Sequence, residues 1–191
     1  MSNDQQNIFL VGPMGSGKST IGSRLASKMG LAFFDCDREI ETRTGASVKL
    51  IFEIEGESGF RERESRMLEE LSSMKGVLVA TGGGAVVREE NRMLLRRSGL
   101  VVYLRTSVGQ QMERLRRDHI RPLLPADNKE STLIELATVR NPLYEDVADL
   151  VFPVKNRNIE GTVSQIHQFI CDYFRENEAK PLRPGTTGVK V

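Results

Sequence analysis

The chain has 191 residues, with 27 Lys and Arg against 26 Asp and Glu, so its formal net charge is +1. That length suits one domain or two small ones, and near-neutrality argues against a nucleic-acid coat or a polybasic membrane tether. Hydrophobic residues at 39% and charged residues at 28% describe a soluble globular chain, while two cysteines, Cys36 and Cys171, are too few for a disulfide framework and read as free thiols.

Met1 to Asn7 is polar and lacks the basic-then-apolar pattern of a secretory signal. No apolar run approaches the roughly 20 residues of a membrane span, so a cytoplasmic location is expected. The first strand is Ile8-Phe9-Leu10-Val11. Gly12-Pro13-Met14-Gly15-Ser16-Gly17-Lys18-Ser19-Thr20 follows and fits G-x-x-x-x-G-K-[ST]. Ile21, Leu25 and Met29 then recur at helical spacing. Strand, glycine-rich loop and helix together form an anion nest for a nucleoside triphosphate, with Lys18 for the outer phosphates and Ser19 for Mg²⁺.

Ala32-Phe33-Phe34 is the second strand, with Asp35 and Asp37 at its end. Residues two apart on a strand point to one side. The pair is therefore expected to face the phosphate loop, one carboxylate holding metal-bound water and the other accepting from an acceptor hydroxyl. The competing reading is an N-cap pair for the helix containing Ile40. Cys36 should point to the opposite face, as a packing residue.

Residues 37–76 are too long for a plain crossover and hold at least two helices, one carrying Met67, Leu68 and Leu71; they suit a substrate-binding insertion. Arg61 begins a helix there, with Glu64 three residues on to hold it. Val77-Leu78-Val79-Ala80 is the third strand, and Thr81-Gly82-Gly83-Gly84-Ala85 opens its carboxyl end for contact of a backbone N–H with a ligand. The fourth strand is Leu100-Val101-Val102-Tyr103-Leu104, followed by a helix with Val108, Met112 and Leu115. Residues 118–130, with His119, Arg121, Pro122 and Pro125, break the periodicity and suit a lid.

Arg140 precedes Asn141-Pro142, which reads as a chain break. Leu150-Val151-Phe152 is the fifth strand, and Val163, Ile166, Ile170 and Phe174 mark the last helix. His119 and His167 lack metal-ligand spacing. Residues 1–177 read as one domain and 178–191 as a flexible tail. Alternation of strand and helix implies a parallel α/β sheet with ligands at the carboxyl ends of its strands.

The ordered set of the phosphate loop, Asp35-Cys36-Asp37, Ile51-Phe52-Glu53, Gly56-Glu57, Phe60-Arg61, Gly82-Gly83-Gly84-Ala85, Arg121-Pro122-Leu123-Leu124 and Arg140-Asn141-Pro142-Leu143-Tyr144-Glu145 resembles shikimate kinase. The resemblance spans roughly residues 7 to 175. It implies a P-loop NTPase fold of the nucleoside-monophosphate-kinase type, with a five-stranded parallel sheet flanked by helices. It implies transfer of the ATP γ-phosphoryl group to the 3-hydroxyl of shikimate.

Carried over by position, Gly15, Ser16, Gly17, Lys18, Ser19 and Thr20 look like the ATP phosphate site, with Ser19 and Asp35 on the Mg²⁺ side. Asp37 looks like the acceptor-binding residue and candidate base, acting with Lys18 and the lid residue Arg121. Arg61, Arg140 and Gly83 look like a clamp on the shikimate carboxylate. Gly82 and Gly84 line the same pocket, and Phe52 and Phe60 form its apolar wall. Arg114 and Arg157 match positions flanking adenine. No nucleic-acid or membrane partner is implied, and nothing demands more than a monomer. The rivals are another small-molecule kinase of this fold, for gluconate or a nucleoside monophosphate, and a nucleotide-binding regulator without catalysis. The candidate site brings six cations together with two carboxylates.

Overall fold

The order of five parallel strands places the site. In the computed structural model, which describes residues 6–116, 128–154 and 158–177, the strands are β1 (Asn7–Val11), β2 (Ala32–Asp35), β3 (Val77–Ala80), β4 (Gly99–Arg105) and β5 (Leu150–Pro153). They lie in the order β2-β3-β1-β4-β5. After β1 the chain crosses towards β2, and after β3 it crosses to the other side, towards β4. The connections diverge above β1 and β3, which is where an open α/β sheet forms its ligand crevice. The loops at that point are the phosphate loop and the triple glycine.

The seven helices described are α1 (Lys18–Met29), α2 (Cys36–Thr44), α3 (Val48–Ser73), α4 (Glu89–Ser98), α5 (Val108–Arg114), α6 (Lys129–Val147) and α7 (Ile159–Asn177). Strand periodicity divides the core between two faces. Phe9 and Val11 pack with Ile40 of α2, Phe60 and Leu68 of α3, Leu95 of α4 and Tyr144 of α6. Ile8 and Leu10 pack with Ile21 and Leu25 of α1 and Ile166 and Ile170 of α7. Each fully buried Leu or Ile in these layers contributes about 1.5–3 kcal/mol relative to exposure. The edge strands are less covered: Ala32 in β2 and Pro153 in β5 are exposed.

The strands fall within one residue of the apolar runs. Three expectations need correcting. Asp35 and Asp37 do not share a strand face. β2 ends at Asp35, which caps α2: its Oδ1 accepts from the N–H groups of Asp37 (3.1 Å) and Arg38 (3.4 Å). Asp37 is the second residue of the helix, because a capping carboxylate satisfies orphan amides that strand continuation would leave unpaired. Pro142 does not break the chain. It lies inside α6, whose buried residues Leu133, Arg140, Tyr144 and Val147 hold the helix together despite the lost hydrogen bond. Lys129 and Glu130, assigned to the lid, open α6. Residues 118–127 of the expected lid, with His119 and Arg121, lie outside the described residues, as do Arg157 and residues 178–191, expected as a tail.

The insertion holds α2 and α3. A kink at Gly56, φ 70°, divides α3. A Cβ there would meet nothing within 4 Å, so the dihedral alone calls for glycine. Phe52 and Phe60 meet across the kink with ring centroids 4.7 Å apart.

Candidate active site

The phosphate loop runs from β1 into α1. Gly12, Gly15 and Gly17 all have positive φ, and Gly17 caps α1 in the left-handed region. Lys18 is buried, and its Nζ donates to the carbonyls of Gly12 (2.7 Å) and Pro13 (2.9 Å) and to Ser16 Oγ (3.4 Å). The ammonium is therefore held over the mouth of its own loop, at the positive end of a helix, where an anion is favoured. Ser16 is buried, Ser19 half-buried and Thr20 exposed. Arg114, at the end of α5, donates to the Gly15 carbonyl at 2.9 Å, so it braces the loop from outside.

Across the crevice, Arg61 and Glu64 form an ion pair at 2.7 Å, with 6% and 0% of their surfaces exposed. Such a pair persists in an apolar setting because either charge alone would be strongly destabilising. The triple glycine explains where it fits. A Cβ on Gly84 would stand 2.2 Å from Arg61 Nη2, and one on Gly82 would stand 2.2 Å from Glu64 Oε1 and 3.0 Å from Asp37 Oδ1. Both glycines are surfaces on which the charged pair rests. A Cβ on Gly83 would meet nothing closer than Met14 N, at 3.4 Å.

Burial pushes the Glu64 carboxyl above its ordinary value. Arg61 opposes the rise by charge and hydrogen bond, Asp37 adds to it, and Arg140 opposes it more weakly. Asp37, Arg61, Glu64, Gly82 and Gly84 are thus one cluster, with Arg140 in its field. Phe60 lies beneath, its ring 5.4 Å from the Arg61 guanidinium carbon. Arg140 is 7% exposed on α6; with Asn141 and Tyr144 it lines a small cavity against Pro13 and Met14. Cys36 faces the core with no exposed surface, and burial raises its thiol pKa.

Two residues of this cluster carried no role in the sequence. Glu57 accepts from Arg61 Nε (3.3 Å) and Nη2 (2.9 Å) through one oxygen. Its signal was the i, i+4 spacing to Arg61, the same rule that found Glu64. Tyr144 is fully buried, stacks on Tyr103 with centroids 5.1 Å apart, and donates its hydroxyl to the Gly83 carbonyl at 2.5 Å. It sits one helical turn from Arg140 and so ties α6 to the glycine loop.

A P-loop beside a buried cluster of arginine and carboxylates at the switch point of a five-stranded parallel sheet is the frame of a phosphotransferase of the nucleoside-monophosphate-kinase type. The family model described as shikimate kinase matches residues 14–171. The chain belongs to the shikimate kinase family. The shikimate kinase of Haemophilus influenzae (strain PittEE) is 50% identical over 168 residues, 87% of this chain and 93% of its own. That of Thioalkalivibrio sulfidiphilus is 52% identical over 171 residues, 90% of this chain and 88% of its own. The structure of a shikimate kinase from Acinetobacter baumannii in complex with shikimate superposes with a TM-score of 0.85 at 44% identity, covering 94% of this chain and 98% of that one. These likenesses favour shikimate over gluconate or a nucleoside monophosphate as the acceptor.

Proposed function

We propose that the chain transfers the γ-phosphoryl group of ATP to the 3-hydroxyl of shikimate, with Arg61 and Arg140 gripping the shikimate carboxylate and Asp37 receiving the acceptor hydroxyl. ATP-dependent phosphorylation of a shikimate hydroxyl follows from the family. The observation that supports these residue roles is the buried Arg61–Glu64 pair seated on Gly82 and Gly84, on the same sheet edge as the phosphate loop. A guanidinium held this firmly presents its remaining N–H groups in a fixed plane, as carboxylate recognition requires.

Phosphoryl transfer asks for in-line positioning and charge neutralisation more than for covalent help. Lys18 leaves the carbonyls of Gly12 and Pro13 for the outer phosphates, which the loop amides cradle. The arginine clamp fixes the ring so that one hydroxyl faces the γ-phosphate. Asp37, in the first turn of α2, accepts the hydrogen bond, or the proton, of that hydroxyl. The family resemblance assigns Arg121, outside the described residues, to the phosphates, and lid closure would exclude water, the competing acceptor. In the same reading Phe52 and Phe60 wall the ring, and the family resemblance assigns Arg114 and Arg157 to the adenine.

The donor set fits Mg²⁺. The α2 cap uses Asp35 Oδ1, leaving Oδ2 for metal-bound water, and Ser19 adds a hydroxyl; hard oxygen donors in small number suit an ion that keeps several waters. Among the described residues no three His, Cys, Asp or Glu gather as metal ligands, so the ion would be shared with the phosphates. Bound there, Mg²⁺ supplies neutralisation of the β- and γ-phosphate charge. Among the described residues no helix is long and apolar enough to cross a membrane. A monomeric cytoplasmic enzyme with no nucleic-acid partner is part of the same proposal; the net charge of +1 supports the last of these.

ADP release from Mg·ATP, measured with shikimate, gluconate, a nucleoside monophosphate and no acceptor, tests the reading. Turnover with shikimate alone is expected; equal turnover with gluconate or a nucleotide overturns it.

A further inference from the structure

Arg61 has five N–H donors, and the structure divides them between two unequal carboxylates. Nη1 goes to Glu64, whose side chain is 0% exposed. Both partners of that bond are buried, so breaking it would strand charge away from water. Nε and Nη2 go to Glu57, whose side chain is 52% exposed. Glu57 can swing into water at little cost. The Nε–Nη2 edge is one of the flat edges of a guanidinium that take a carboxylate with two parallel hydrogen bonds. Glu57 covers that edge with a single oxygen, at 3.3 and 2.9 Å, whereas an incoming carboxylate can give one oxygen to each donor. Glu57 is the first residue past the Gly56 kink, exposed like its neighbours Gly56 and Ser58. Outside the kink, Glu55 and Arg63 form a forked pair at 2.7 and 2.8 Å, so the fold holds Glu57 beside Arg61 without help from Glu57 itself.

We propose that Glu57 is an internal stand-in for the acceptor's carboxylate: it occupies the binding edge of Arg61 until a carboxylate-bearing ligand displaces it. The stand-in keeps the guanidinium paired and oriented between turnovers, and it sets a threshold that only a ligand with two carboxylate oxygens passes. Neutral polyols of similar size gain nothing at this edge. The proposal rests on the reading that Arg61 binds the shikimate carboxylate.

The experiment is calorimetric titration of shikimate into the wild type, Glu57→Gln, Glu57→Ser and Arg61→Ala, at low salt and at 0.5 M KCl, with KM for shikimate and for ATP alongside. Loss of a half-exposed competing pair is expected to tighten shikimate binding by about two- to fivefold. The fall in shikimate KM should leave ATP KM where it was, and the gain should persist in high salt. An analogue with the carboxylate reduced to an alcohol should gain nothing. Unchanged or weaker shikimate binding in both Glu57 variants overturns the proposal. So does a gain that vanishes in high salt, which would mark a long-range field rather than occupancy. If Arg61→Ala leaves shikimate affinity intact, the clamp itself has failed; if Arg61→Ala weakens binding while the Glu57 variants do not tighten it, only the stand-in has.

Discussion

Replacing Gly84 by alanine should damage acceptor binding far more than its size suggests. The new Cβ would lie 2.2 Å from Arg61 Nη2 and 2.3 Å from both Cζ and Nη1. Ordinary contact begins at 3.4 Å, so the guanidinium must retreat by about 1.2 Å. A long side chain can usually give way, but this one is tied at 2.7 Å to Glu64, and Glu64 is backed against Gly82. Retreat breaks the buried hydrogen bond. Overpacking costs about 1–3 kcal/mol of stability, or a fall in Tm of roughly 2–12 °C for a chain this size. Displacing a charge-assisted bond to the substrate adds about 1.5–3 kcal/mol to the binding step, a rise of ten- to a hundredfold in shikimate KM. Gly83→Ala is the control, because its Cβ meets nothing closer than Met14 N at 3.4 Å; its melting temperature should stay within about 2 °C of wild type. Thermal melting with steady-state kinetics for both substrates reads the difference. A Gly84→Ala protein with wild-type Tm and wild-type shikimate KM would refute the packing of the loop on Arg61.

Two further outcomes follow from buried groups around the same cluster. Tyr144→Phe removes the hydrogen bond to the Gly83 carbonyl, which should cost about 1–3 kcal/mol and raise shikimate KM severalfold with little change in ATP KM; equal changes in the two would assign Tyr144 to general packing. Glu64 has its carboxyl pKa raised above the ordinary 4.5 by burial, so the native state holds its proton more tightly than the unfolded chain. That contribution is full below 4.5 and is lost as pH rises through the raised value. Urea midpoints against Glu64→Gln should show wild type losing relative stability as pH rises above about 4.5; a relative gain would mean that the charge of Arg61 outweighs burial.

Sheet, phosphate loop and the helices α1, α2, α3, α5 and α7 were legible because each carries its own local signal: continuous apolar runs, 3.6-residue periodicity, a spaced glycine set; α4 and α6 were not read. The cluster opposite the phosphate loop was less legible, because its geometry depends on where elements end. Asp35 looked like one of a strand-borne pair because spacing along the chain does not show where a strand stops; the cap on Asp37 and Arg38 decides it. Pro142 looked like a break, yet the burial of Arg140 and Tyr144 on either side keeps α6 intact. The triple glycine pointed to an exposed backbone, whereas Gly82 and Gly84 are small because Glu64 and Arg61 lie on them, a contact between segments some 20 residues apart that no local pattern encodes. The charge tally of the site changes for the same reason. Six cations against two aspartates overlooked Glu57 and Glu64, both of which sit on Arg61.

The most direct measurement is calorimetric titration of Arg61→Ala and Arg140→Ala, each with shikimate and with ATP. If the two arginines grip the acceptor's carboxylate, shikimate affinity falls by about tenfold or more in each, while ATP affinity stays within about twofold of wild type. Equal losses for both ligands, or shikimate affinity unchanged in either variant, would contradict the clamp.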